Sequence, residues 1–434
     1  VLELEGLTKV PTIVSVEMGY GHLRAALPLA EHLGTEMLHA DAPPLAEEAE
    51  QRHWRAVRRA HEIGSKLSQL QGAITRPVQG LMDLVTMIPS LHATPNLTEP
   101  NAAVRYVSHL IGRGLGDGLV DHLRSTGSPL LTTFYVPALV AARAGLPDVY
   151  CVCTDADIHR VWVPEDPRRD RIHYFAPSRR VVRRLQAYGV PEEDITFTGF
   201  PLPPDLLGGP DLETLHRDLA ARVVRLDPEG FFRSTCRPEL ERSLGGLPAD
   251  QERRPPMLTF AVGGAGAQAD LPDQFLPGFS HALQRDAIKI TLVAGTRPEV
   301  ADRLRRSVEK AGLARQLGRS VFVLQGHDFA DYYRRFGQLL RETDVLWTKP
   351  SEMSFYAALG IPLVVAKPVG VHERFNRRWL REQGAGLKQR NARYAAGWLG
   401  EWLSDGTLAA AAWSGYMRLP KTGTYEIARA AASA

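Results

Sequence analysis

The apolar stretch Val149–Cys153 runs into Thr154-Asp155-Ala156-Asp157-Ile158-His159-Arg160-Val161-Trp162. Two carboxylates, an imidazole and an indole just past the carboxyl end of a strand are placed for function rather than packing. The bland alternative is that Asp155 caps a helix. Met18-Gly19-Tyr20-Gly21-His22 holds a comparable place, after the β-branched run 11–16 and before a helical pattern that reaches Leu33. Its glycines allow a tight turn and close approach of a ligand to backbone N–H groups, or serve only the sterics of that turn.

Val262-Gly263-Gly264-Ala265-Gly266-Ala267-Gln268 follows a third apolar run. Small residues there let backbone amides surround an oxyanion, with the positive end of the next helix aimed at it. The turn lacks the Gly-Lys-Ser/Thr ending of a P-loop and is an incomplete dinucleotide fingerprint, so a diphosphate on a departing nucleotide fits it better. In Thr348–Asn376 a strand, a Thr-Lys-Pro-Ser turn, a helix stopped at Gly360-Ile361-Pro362, a strand at 363–366 and a polar loop follow one another. That rhythm reads as one wall of a ligand crevice.

The elements that must position these turns are parallel strands alternating with helices. Strands are expected at 11–16, 36–39, 130–133, 149–152, 172–176 and 195–197, and again at 257–262, 289–293, 321–324, 345–348 and 363–366. At 434 residues the chain exceeds one ordinary core. The expected division is an N-terminal Rossmann-like domain (1–204), an insertion or linker (205–256), a C-terminal Rossmann-like domain (257–400) and a helical tail (401–434). A net charge of +3 is too small to argue for nucleic acid. Three cysteines form neither a disulfide framework nor a zinc cluster, and Cys151 and Cys153 read as small buried apolar residues. No apolar run approaches the length of a membrane span, and residues 1–6 carry two glutamates and no cationic leader. A cytoplasmic protein is expected, one that touches a membrane from outside at most. Arg52–Arg59 around Trp54 reads as a solvated face or a surface for anionic lipid, and the apolar stretch 73–92 as core or an acceptor cover.

These turns together resemble the GT-B glycosyltransferases, especially the branch of monogalactosyldiacylglycerol synthases and processive diacylglycerol glucosyltransferases. The lipid II-forming N-acetylglucosaminyltransferase is a more distant likeness. That branch carries G-x-G-H, T-D-x-x-x-H-x-x-W, a T-K-P-G-G turn, a G-x-P stop and P-G-x-E-x-x-N. The matching residues here are Gly19, Gly21 and His22, then Asp155, His159 and Trp162, then Lys349, and finally Gly370, Glu373 and Asn376. The resemblance implies an α/β, GT-B architecture, two Rossmann-like domains facing each other across a cleft, with a tail that crosses back to the first. It implies His22, Asp155 and His159 as catalytic residues, with Gly19, Tyr20, Gly21 and Trp162 contacting the acceptor. Donor contacts fall to Gly263, Gly264, Ala265, Gly266, Phe329, Lys349, Ser351, Glu352, Glu373 and Asn376. One departure stands out. The branch has a glutamate for the ribose hydroxyls where this chain has Phe355, and Ser351-Glu352 replaces its glycine pair.

The activity implied is transfer of a hexose, with inversion, from a nucleotide diphosphate sugar, expected to be a UDP-hexose, to a hydroxyl of a lipid-like acceptor. The scheme uses no cofactor and no metal. The rivals are a sugar-nucleotide epimerase or hydrolase, and a non-catalytic binding or scaffold protein, for which Phe355 is the motive.

Overall fold

The computed structural model describes residues 10–55, 88, 91, 96–249, 254–263, 266, 268–368 and 371–433. The chain runs β1 (Thr12–Ser15), α1 (Tyr20–Leu33), β2 (Met37–His39), α2 (Ala102–Ile111), α3 (Asp117–Thr126), β3 (Leu130–Thr132) and α4 (Tyr135–Arg143). It continues through β4 (Val149–Val152), β5 (His173–Ala176), α5 (Arg179–Ala187), β6 (Ile195–Phe197), α6 (Pro204–Leu207), α7 (Glu213–Arg225) and α8 (Phe231–Leu244). Next come β7 (Met257–Ala261), α9 (Pro272–Gln284), β8 (Lys289–Gly295), α10 (Pro298–Lys310), β9 (Val321–Gln325), α11 (Phe329–Glu342) and β10 (Val345–Thr348). A 3-10 helix (Glu352–Leu359), β11 (Leu363–Val365), α12 (Val371–Glu382), β12 (Gly386–Lys388), α13 (Ala395–Ser404), α14 (Thr407–Arg418) and α15 (Gly423–Ala432) complete it. Two compact units result: Val1–Leu202 with Val369–Asn376 and Pro420–Ala434, and Pro203–Pro368 with Arg377–Leu419.

The first unit is built on a parallel six-stranded sheet in the order β2-β1-β3-β4-β5-β6. Successive side chains on a strand point to opposite faces, and both faces here are covered. Ile13, Leu131, Val152 and Phe175 pack on Ala26 and Leu29 of α1 and on Ile427 and Ala428 of α15. Val14, Leu130, Cys151 and Tyr174 face the other way, toward Val107, Leu119 and Leu139 of α2, α3 and α4. Cys151 and Cys153 therefore share one buried face, unbridged, and desolvation pushes both thiols up. Within the 52–59 segment Trp54 belongs to the core: it is 2% exposed and its Nε1 donates to Glu50, while Arg52 and Arg55 are exposed. Arg58, Arg59 and, apart from residues 88 and 91, the stretch 73–92 lie outside the described residues.

The second unit carries a parallel six-stranded sheet in the order β12-β11-β10-β7-β8-β9. Numbered within the unit this is the Rossmann order 3-2-1-4-5-6, so the direction of winding reverses between β7 and β10. In the first sheet the reversal falls between β1 and β3. The edge strand β12 escaped the sequence reading because it is three residues long and starts at a glycine. The insertion, given no task from sequence, carries the helices α7 and α8 among its described residues, and both are grouped with the second unit. Arg222 on α7 is buried. It donates to the carbonyls of Thr343 and Leu340 at the end of α11 and of Leu359 at the end of the 3-10 helix. Terminal carbonyls of helices lack intrahelical partners, so one guanidinium here caps two elements. Desolvation pulls its pKa down to about 10. Asp344, also buried, joins Arg225 and Arg254 and accepts from the Met257 amide, which ties α7 to the start of β7.

Candidate functional site

In open parallel sheets ligands bind beyond the carboxyl ends of strands, where winding reverses. In the first unit that point is flanked by the turn after β1 and the turn after β3. Gly19 enters α1 with φ 114°, a conformation that favours glycine, and lets the chain turn before His22. The His22 Nδ1 lies 2.7 Å from the Thr133 carbonyl oxygen. A carbonyl oxygen only accepts, so Nδ1 carries the hydrogen and, in the neutral ring, Nε2 carries the lone pair. The Thr154 hydroxyl sits 3.3 Å from the same Nδ1. Thr133 Oγ1 donates to the His22 carbonyl and pairs with Ser15 Oγ. Beside the imidazole stand Phe134 at 4.8 Å and Trp162 at 6.3 Å between ring centroids, with Tyr135 5.5 Å from Trp162. Burial pushes the Tyr135 phenol up to about 12.

The Asp155–Asp157 turn after β4 holds carboxylates with different tasks. Asp157 is 1% exposed and meets both Arg180 and Arg184, so the sequence reading that placed it for function rather than packing is corrected: it is a buried ion-pair anchor. Desolvation would lower the Arg184 guanidinium, and the bonds and charge of Asp157 more than reverse that. Asp155 is half-buried, and its Oδ1 accepts from Asn376 Nδ2 at 2.9 Å. Asn376 Oδ1 accepts from the Ala156 amide at 2.8 Å. Ser178 caps α5 and donates to the Ala156 carbonyl, tightening the same turn.

Of the remaining residues singled out in this unit, Trp162 is 4% exposed, so its ring is mostly spent on the aromatic cluster. His159 precedes a short 3-10 turn, and its carbonyl accepts from the Trp162 amide. Tyr20 lies under the Arg24 guanidinium. Glu373 is 2% exposed and Asn376 fully buried, both grouped with this unit.

In the second unit the reversal lies between the turns after β7 and β10. Thr348 Oγ1 donates to the Ala261 carbonyl, tying the two strand ends together. A Cβ on Gly263 would stand 2.7 Å from Lys349 Cε, so the lysine stem lies directly over that glycine. Gly266 has φ 75°, while Gly264 and Ala265 lie outside the described residues. Gln268, which the sequence reading missed as a site residue, donates from Nε2 to the Lys367 carbonyl and links the glycine turn to the loop after β11. Ser351 accepts from the Met353 amide and caps the 3-10 helix that Glu352 begins. Phe355 is 3% exposed against Trp379, so the position matched to the branch's ribose glutamate is core. Phe329 opens α11, half-buried beside Tyr332 and Tyr333. Among the described residues no group of three or more His, Cys, Asp or Glu is placed to hold a metal ion, and no helix is long and apolar enough to cross a membrane.

Residues 318–433 match a family described as Domain of unknown function (DUF6938). None of the curated proteins matches the chain. Among solved structures, the chain is similar to the UDP-GlcNAc 2-epimerase from Neisseria meningitidis bound to UDP-GlcNAc. Identity is 12%, over 97% of this chain and 99% of that one, with a TM-score of 0.48. It is similar to MurG of Acinetobacter baumannii at 13% identity, over 97% and 98% of the two chains, with a TM-score of 0.48. The glycosyltransferase SnogD from Streptomyces nogalater shows 16% identity over 98% and 100%, with a TM-score of 0.45. Likenesses this distant assign no role to a residue of this chain.

Proposed function

We propose that this protein is an inverting glycosyltransferase of the GT-B type. It takes a nucleotide diphosphate hexose, with UDP as the nucleotide, and passes the sugar to a hydroxyl of an amphipathic acceptor. The observation that carries the reading is the stacking of the Lys349 stem over Gly263 where the second sheet reverses. Backbone amides of a glycine turn and an ammonium group beside it are what a diphosphate needs, and both strengthen as charge grows on the leaving group.

In this mechanism the acceptor oxygen attacks the anomeric carbon as the bond from that carbon to the diphosphate oxygen breaks. The proton of the acceptor hydroxyl goes to Nε2 of His22, the nitrogen that the Thr133 carbonyl leaves basic. The same carbonyl stabilises the imidazolium that results, because Nδ1–H remains bonded to it. Asp155 brings a carboxylate to the position after Thr154, whose hydroxyl lies 3.3 Å from the His22 Nδ1. Tyr135, half-buried against the rings of Phe134 and Trp162, favours an acceptor with an apolar portion. The acceptor's lipid character, and membrane contact by a cytoplasmic enzyme, belong to this proposal.

Turnover with a panel of sugar nucleotides and hydroxylated amphiphiles tests it: the product should have inverted anomeric configuration, and retention would defeat the mechanism. A second reading is favoured by Phe355, which puts a buried ring where a ribose contact is expected. On that reading the chain binds a sugar nucleotide without transferring it, and consumption of donor in the panel separates the two.

A further inference from the structure

We infer that Asn376 is a positioning residue for the Asp155 carboxylate rather than a contact to the donor sugar, an inference that rests on the function proposed above. Both ends of its amide are engaged by adjacent residues of one turn. Nδ2 donates to Asp155 Oδ1 at 2.9 Å, and Oδ1 accepts from the Ala156 amide at 2.8 Å. Asn376 is 0% exposed, so water does not compete for either bond. Among the described residues, the bond from Asn376 is the one hydrogen bond that the Asp155 side chain receives. The neighbouring residue repeats the attachment: Phe375 lies under the Arg180 guanidinium, and Arg180 pairs with Asp157 of the same turn.

A planar amide bonded at both ends cannot rotate, and the carboxylate it holds is fixed with it. Asp155 is next to Thr154, whose hydroxyl is 3.3 Å from the His22 Nδ1. Asn376 therefore sets the direction of the one carboxylate in this turn not consumed by an arginine. A donor–acceptor pair of this kind needs an amide facing a carboxylate. Two carboxylates in the same places repel, and exchanging the two side chains restores the bond.

Kinetics and stability test this together. Asn376→Ala is expected to lower kcat 10- to 100-fold while the donor KM stays within twofold. In an Asp155→Asn background the same substitution is expected to lower kcat no further, because its effect passes through that carboxylate. A tenfold rise in donor KM at unchanged kcat would make Asn376 a sugar contact. Multiplying effects of the two substitutions would make its role structural. Either result overturns the inference. Independently of activity, Asn376→Asp alone is expected to lower the urea midpoint, and adding Asp155→Asn to raise it again. Additive midpoints would deny the pairing itself. Absence of turnover by the wild-type chain would instead count against the proposed function, so the two failures are separately visible.

Discussion

The imidazole of His22 is bonded through Nδ1 to the backbone carbonyl of Thr133, on the far side of the point where the first sheet reverses its winding. In the proposed mechanism this bond decides which nitrogen is the base. His22→Gln is expected to lower kcat by about 10²- to 10⁴-fold, the usual contribution of a positioned general base, with donor affinity unchanged. Nitrogen-15 spectra of the neutral wild-type ring should show the hydrogen on Nδ1; a hydrogen on Nε2 would remove His22 from the role.

Gly263→Ala is a test of the donor turn that spares the fold. The added methyl meets Lys349 at Cε and Cδ, the far part of a flexible side chain, rather than backbone. The lysine is displaced and the sheet is not. Nucleotide affinity should fall at least tenfold while the urea midpoint changes little. A large loss of stability with intact affinity would mean that the glycine serves packing alone.

Asp157 and Asp155 are two residues apart and should respond in opposite ways. Asp157→Ala leaves Arg184 buried without its counter-charge, a change that costs about 3–5 kcal/mol where one partner of a buried pair is removed. Asp155→Asn should cost far less stability and far more activity. Urea unfolding of both variants checks this, and a loss below about 1 kcal/mol for Asp157→Ala would contradict the anchor assignment.

Lys421 gives the stability a pH dependence. Desolvation lowers its pKa from 10.5 to about 8. Below about pH 8 the lysine is charged in both folded and unfolded chains, and desolvation disfavours that charged form in the folded one. Between about pH 8 and 10.5 the folded chain releases the proton while the unfolded chain keeps it, so this group's contribution to stability rises with pH. Buried thiols and phenols such as Cys151 and Tyr135, whose pKa values are raised, act in the opposite sense, so the comparison is between chains. The gap in urea midpoint between Lys421→Met and wild type should shift in favour of wild type as pH rises from 7.5 to 10. A gap independent of pH would refute the assignment.

Local signals in the sequence specified much of this architecture. Short β-branched runs marked both sheets because parallel strands are buried on two faces, and glycine at positive φ marked the turn before α1 and the stop at Gly360. What stayed hidden depends on partners far away in the chain. Asn376 and Asp155 are separated by 221 positions, and nothing at either one announces the other. Arg222 looks like one more helical arginine until the carbonyls of Thr343 and Leu359 close around it. Trp54 sits among charges that suggest a surface, yet tertiary packing against the first core buries it. The two carboxylates of the Asp155–Asp157 turn are chemically alike, and only the arginines of α5 separate anchor from candidate reactant.

Calorimetric titration of the chain with UDP and a series of UDP-hexoses bears most directly on the central idea. Saturable binding of at least one UDP-sugar at one site per chain, weakened tenfold or more by Lys349→Ala without a change in urea midpoint, is the expected result. No binding of any nucleoside diphosphate or its sugar, or equal affinity in that variant, would contradict it.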